Sequence, residues 1–154
     1  MTDPEATVLA VNGGSSSIKF ALFAARDITR RTVHGKIERI GDSGTALTAT
    51  LAAQKKPLTE KLPAGDFAAA IECLIAWLDR QQLLKSVIAI GHRVVHGMRH
   101  SAPERLTPAL LEELRTVIPY DPEHLPARLR SALCQASNRC TDLYGFRGPA
   151  AVAS

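Results

Sequence analysis

Aromatic side chains are scarce in this 154-residue sequence: Phe, Trp and Tyr make up 5% of it. So few flat rings leave little on which nucleic-acid bases could stack. A net charge of +4, spread over scattered Arg and Lys, forms no concentrated basic track. Nucleic acid is therefore not an expected partner. Cysteine is equally thin. Cys73, Cys134 and Cys140 form an odd set with no Cys-x-x-Cys pair, which gives neither a disulfide framework nor a cysteine zinc site and suits a reducing cytoplasm. No apolar run approaches the roughly 18 residues of a membrane span. The polar start, Met1 to Glu5, lacks the basic-then-apolar signature of a secretion signal. The expectation is a cytoplasmic protein with no membrane partner. Hydrophobic residues at 45% and charged residues at 22% are the composition of one ordinary folded domain.

Within that domain the hydrophobic period changes along the chain. Thr7 to Val11 reads as a short buried strand, and Asn12 to Ser17 as a turn. From Ile18 to Phe23, Ile18, Phe20 and Leu22 alternate against Lys19, which is strand periodicity. Strand, Gly/Ser turn and strand predict an antiparallel hairpin. Thr32 to Ile40 is a third strand, Gly41 to Gly44 a second turn and Thr45 to Ala52 a fourth strand. Gln54 to Gly65, broken by Pro57 and Pro63, reads as loop. Phe67 to Gln82 switches to helical spacing, with Asp66 as its N-cap. Val87 to Ile90 is a strand running into Gly91-His92-Arg93. Further helices are expected from Thr107 to Ile118 and from Glu123 to Ser137. The order predicts an α/β fold: a mixed sheet with an N-terminal antiparallel hairpin and crossover helices. Residues 138–154 show no period and read as an irregular tail.

Two short stretches carry chemistry. Asn12-Gly13-Gly14-Ser15-Ser16-Ser17-Ile18-Lys19-Phe20 joins a Gly/Ser turn to a cation. Such a turn lets backbone N–H groups and the hydroxyls of Ser15, Ser16 and Ser17 approach a phosphate, with Gly14 leaving room. Lys19 can offset phosphoryl charge, and Asn12 offers a neutral oxygen for a phosphate or a Mg²⁺-bound water. It is not a Walker loop, because the Gly-x-x-x-x-Gly-Lys spacing is absent and a strand follows. The second stretch is Gly91-His92-Arg93-Val94-Val95-His96-Gly97. Arg93 at a strand end can hold a carboxylate or phosphate through two parallel hydrogen bonds. His92 and His96, four apart outside a helix, make no metal pair. Alone, each stretch also reads as an ordinary solvated turn or an ordinary ion pair.

Together the two stretches resemble the acetate kinase family, which belongs to the sugar kinase, actin and Hsp70-like superfamily of two-lobed phosphotransferases. The resemblance runs from about Val8 to Gln135 and implies a partial ribonuclease H-like (actin-like ATPase) lobe over residues 1–137. It assigns Asn12 to Mg²⁺, Lys19 to the ATP phosphates, Gly14 to Ser17 to the phosphate turn and Arg93 to the carboxylate substrate. Pro122-Glu123-His124-Leu125 looks like the family's Pro-rich stretch before a helix. Met98 stands where a second Gly is usual, and Tyr120 where a His is usual. Arg139 to Tyr144 does not match the family's Asp-Thr-Ala-Phe-His, so no catalytic aspartate is carried over and the catalytic set is incomplete in this chain.

The implied reaction is phosphoryl transfer from ATP to acetate, giving ADP and acetyl phosphate, with Mg²⁺ as cofactor. Early loss of the resemblance implies a truncated chain, whether through a frameshift, a split gene or a natural truncation, that is inactive alone. The alternatives are a non-catalytic remnant or binding module, and a kinase for propionate or butyrate. ATP and a short-chain carboxylate are the expected small-molecule partners. A homodimer or a complementing chain is the assembly left open.

Overall fold

A computed structural model describes residues 5–63, 65–93, 104–105, 107, 109 and 142–146. Its core is one mixed sheet covered on one face by a helix. The strands are β1 (Thr7–Gly13), β2 (Ser17–Ala24), β3 (Asp27–Glu38), β4 (Ala46–Leu51), β5 (Leu58–Lys61), β6 (Val87–Arg93), β7 (Glu104–Arg105) and β8 (Asp142–Phe146). The helix α1 spans Phe67–Arg80, and a short 3₁₀ turn, Leu84–Ser86, leads into β6. The sheet order is β5-β4-β3-β2-β1-β6-β8-β7. From β1 to β5 every strand pairs antiparallel with its successor in sequence. β6 then lies parallel to β1 on its other side, reached through α1, and β8 is parallel to β6.

Period-two alternation decides which residues face the helix. Leu9 and Val11 of β1, Ile18, Phe20 and Leu22 of β2, Val33 and Ile37 of β3, and Leu47 and Ala49 of β4 are all buried. They meet Ala70, Ile71, Leu74, Trp77 and Leu78, which one stripe of α1 presents. Asp66 starts the helix, its carboxylate accepting from the Ala69 N–H at 2.9 Å. The helix stops through Gln82, which takes a left-handed φ of 58°, while the Leu83 N–H donates to the Leu78 carbonyl at 2.9 Å.

One buried polar link ties the start of β1 to the residue before β6. The Ser86 hydroxyl donates to the Leu83 carbonyl at 2.8 Å, so the Thr7 hydroxyl, 3.0 Å away, is the donor in the Thr7–Ser86 bond. Removing Ser86 Oγ strands a buried donor, whereas removing the Thr7 hydroxyl leaves Ser86 with its own bond intact. Ser86→Ala is therefore expected to cost about 2 kcal/mol and Thr7→Val about 1 kcal/mol or less. Urea unfolding of both variants checks the order, and a larger loss in Thr7→Val would reverse the assigned donor.

Three sequence expectations change. Gln54 to Gly65, expected as loop, contains β5. Only Leu58 in that strand is partly shielded, so an edge strand flanked by Pro57 and Pro63 shows no alternation to read. The stretch expected as an irregular tail, 138–154, holds β8, which the sheet fixes through β6 rather than through any period of its own. Asn12 and Gly13, expected in the turn, complete β1. The helices expected from Thr107 to Ile118 and from Glu123 to Ser137 lie outside the described residues, apart from exposed Thr107 and Ala109. So do His96, Met98, Tyr120 and the stretch Pro122 to Leu125.

Candidate functional site

The Gly/Ser turn is short and doubly tied. The Gly14 N–H donates to the Ser17 carbonyl at 2.7 Å, closing the hairpin, and the Ile40 N–H donates to the Ser16 carbonyl at 3.0 Å. The second bond anchors the turn to the residues just after β3. A Cβ on Gly14 would sit 3.0 Å from Ser17 Oγ, so a larger residue there would press on the serine hydroxyl. Gly14, Ser15 and Ser16 are exposed and Ser17 half-buried. None of the three serine hydroxyls has a partner among the described residues.

The strand register sets the two polar side chains beside that turn. Asn12 is the Cα partner of Lys19, one step before the Gly13–Ile18 pair that opens the turn. Because Val11 and Phe20 point into the core, alternation places Asn12 and Lys19 on the opposite, outer face. Lys19 is exposed and Asn12 half-buried. Neither side chain has a hydrogen-bond or ion-pair partner among the described residues.

β6 brings the second stretch to the same edge. It runs parallel to β1, with His92 the Cα partner of Val11, so the carboxyl ends of both strands emerge together. Arg93 follows at once, its backbone paired with Phe146 of β8; the side chains of His92 and Arg93 lie outside the described residues. β1 is also where the order turns, with antiparallel neighbours on one side and parallel ones on the other. In α/β sheets, ligands bind outside the carboxyl ends of strands at such a switch point.

Sequence reasoning passed over the third row of this face. Lys36 of β3 is the Cα partner of Lys19, and Glu38 of Ser17. Lys36 Nζ lies 2.8 Å from Glu38 Oε1. Buried Val33 and Ile37 alternate with these two residues, and that alternation was the available signal. Farther along the face, partial burial and then the nearby Arg31 charge push the His34 imidazole below its ordinary range. A histidine favoured neutral in the fold withdraws stability as pH falls through the ordinary histidine value. Among the described residues no three His, Cys, Asp or Glu side chains cluster to hold a metal ion.

The Acetokinase family model matches residues 7–139. An acetate kinase of Streptomyces griseus is 41% identical over 132 residues, which cover 79% of this chain and 31% of that protein. An acetate kinase of Deinococcus radiodurans is 37% identical over 122 residues, covering 79% and 30%. The chain thus spans about a third of the length of the curated relatives it matches. Among solved structures, a propionate kinase from Francisella tularensis superposes with a TM-score of 0.71 at 27% identity, covering 92% of this chain and 36% of that one. The Porphyromonas gingivalis acetate kinase gives 0.72 at 23% identity, over 92% and 37%, which speaks to the fold alone.

Proposed function

The chain belongs to the acetokinase family, and from that premise we propose that it is the phosphate-binding part of a carboxylate kinase. The reaction is transfer of the γ-phosphoryl group of ATP to acetate. A carboxylate oxygen attacks the γ-phosphorus in line, the bond from that phosphorus to the bridging oxygen breaks, and its electron pair leaves with ADP. Such transfer depends on positioning and charge stabilisation more than on covalent help from the protein. The observation that carries the reading is the Asn12–Lys19 pair on the outer face, without side-chain partners among the described residues and directly beside the Gly14–Ser17 turn.

Each residue then has a role. The turn offers hydroxyls and N–H groups to phosphate oxygens. Lys19 offsets their charge, and Arg93 holds the substrate carboxylate with two parallel hydrogen bonds. Asn12 is half-buried and offers a neutral hard oxygen with no protein partner among the described residues, a donor type Mg²⁺ accepts alongside phosphate oxygens and water. Asn12 therefore fits a role toward the metal or its water. Mg²⁺, when bound, neutralises phosphate charge that the chain's own cations do not reach.

Acetate is favoured as substrate by the two acetate kinases at 41% and 37% identity; the likeness to a propionate kinase at 27% keeps propionate as the second reading. ATP as donor goes with a cytoplasmic location, and among the described residues no helix is long and apolar enough to cross a membrane. On this reading the remaining walls of the cleft come from outside this part, and a homodimer or a complementing chain is one way to bring them.

Calorimetric titration of the chain with ATP and Mg²⁺ tests the phosphate role. Lys19→Gln should weaken binding about tenfold, the loss of one charge-assisted contact of about 1.5 kcal/mol. Arg93→Lys should leave ATP binding unchanged while weakening acetate binding, because Lys keeps the charge and loses the planar fork. ATP affinity indifferent to Lys19→Gln would refute the assignment.

A further inference from the structure

We propose that Lys36 is a second phosphate-binding cation, which with Lys19 forms a two-lysine seat for a polyphosphate on the outer face of the sheet. The proposal rests on reading this face as the nucleotide phosphate site and adds a residue to it. Lys19 and Lys36 are Cα partners on the antiparallel strands β2 and β3. Side chains in that relation have Cβ atoms about 5 Å apart, and like charges so placed repel. Both lie on the exposed face, away from the core that Phe20 and Ile37 help to build. A row therefore crosses the sheet from the mouth of the turn: Asn12, Lys19, Lys36.

The charges in this row do not balance. Lys36 has a counterion, Glu38, with 2.8 Å between Nζ and Oε1. Lys19 has none among the described residues. Two adjacent ammonium groups share one carboxylate, which leaves a positive surplus facing solvent. A multiply charged phosphate set across both would relieve their repulsion and satisfy several N–H donors at once. Glu38 stands in the way of full engagement. It is the Cα partner of Ser17, the last residue of the turn, so a phosphate seated at the turn meets its negative charge. In the resting fold Glu38 occupies Lys36. When an anion arrives, Lys36 exchanges that carboxylate for phosphate oxygen.

Glu38 opposes an anion at the turn whether or not Lys36 engages it, so a loss in Lys36→Gln is what separates this arrangement from an exposed ion pair with only a structural role. The test is isothermal titration of the 154-residue chain with inorganic pyrophosphate at low ionic strength. The samples are wild type, Lys19→Gln, Lys36→Gln and Glu38→Gln, with circular dichroism verifying that each variant folds. Lys36→Gln should weaken pyrophosphate binding about fivefold, the upper range for an exposed charge pair. Lys19→Gln should weaken it at least as much, and Glu38→Gln should strengthen it by a few-fold. Wild-type affinity in Lys36→Gln alongside a loss in Lys19→Gln would overturn the role of Lys36 and leave the Lys19 assignment standing. Absence of pyrophosphate binding in the wild type would overturn the seat, and the ATP titration then decides separately whether the functional reading falls with it.

Discussion

Given acetate, ATP and Mg²⁺, the purified 154-residue chain is expected to accumulate no acyl phosphate trappable by hydroxylamine. Its rate should lie below about a thousandth of that of a full-length relative, since removing one preorganised donor from a closed site already costs on the order of 10²–10³. The reason is geometric. On the proposed reading Asn12, Lys19 and the Gly14–Ser17 turn form one wall, on a face where Lys19, Ser15 and Ser16 are exposed. The relatives that carry the family's name are about two and a half times as long, 79% of this chain matching 31% of one of them. A wall open to solvent leaves the phosphates hydrated, and charges acting through water are worth little. Sedimentation of the same sample should accompany the assay. Turnover by a monodisperse monomer, abolished by Arg93→Ala, would show that one wall suffices.

The largest effect on stability is expected at Gly35. Its position on β3 is opposite Phe20, and the backbone there leaves no space for a methyl group. A Cβ would lie 2.5 Å from the Thr48 carbonyl oxygen and 2.6 Å from Phe20 Cζ. Neither neighbour yields readily. The carbonyl belongs to β4, the next strand of the sheet. The Phe20 ring already packs on Trp77 of α1, with ring centroids 5.8 Å apart at a 59° tilt. Gly35→Ala should therefore drive the ring toward the helix and cost about 3 kcal/mol, the upper end for overpacking. The urea midpoint should fall with an unchanged slope. Phe20→Leu in the same chain should recover part of the loss, giving a coupling energy in a double-mutant cycle. Strictly additive effects would mean that the ring is not what Gly35 makes room for.

The parts of this fold that repeat locally were legible in the sequence. Alternation of Ile18, Phe20 and Leu22 marked β2 and turned Lys19 outward, and the Gly/Ser run marked the hairpin. Asp66 and the spacing of Ile71, Leu74 and Leu78 marked α1. What resisted reading was set by neighbours. β5 is a strand because Ala46 to Ala49 offer it a partner edge, though its own residues carry no period. β8 owes its place to β6 in the same way. Asn12 and Gly13 have the composition of a turn, yet Lys19 and Ile18 pair with them and keep them extended. β3 begins at Asp27, five residues before its apolar alternation; that start is exposed, Ile28 included, and shows no alternation to read. For the candidate site, Lys19 was singled out from its motif. Lys36 has no motif, and only the register of β2 against β3 reveals that the two lysines are neighbours.

The position of β1 between β2 and β6 also fixes an order of assembly. On one side, β1 to β5 are a run of sequence-adjacent strands whose hairpins close short loops. On the other side, joining β6 to β1 means bringing Thr7 to Val87, one residue beyond the 79-residue separation that the Thr7–Ser86 bond spans. Closing a long loop costs entropy that the contacts return only once made, so non-local pairings form late. The five-strand meander is thus the natural early structure, and one flank of β1 waits unpaired until α1 has carried β6 back. In pulsed hydrogen exchange during refolding, amides of β2 to β4 would gain protection before those of β6. The strand bearing Asn12 would be finished on the side of β2 and the Gly/Ser turn while still open on the side where β6 arrives.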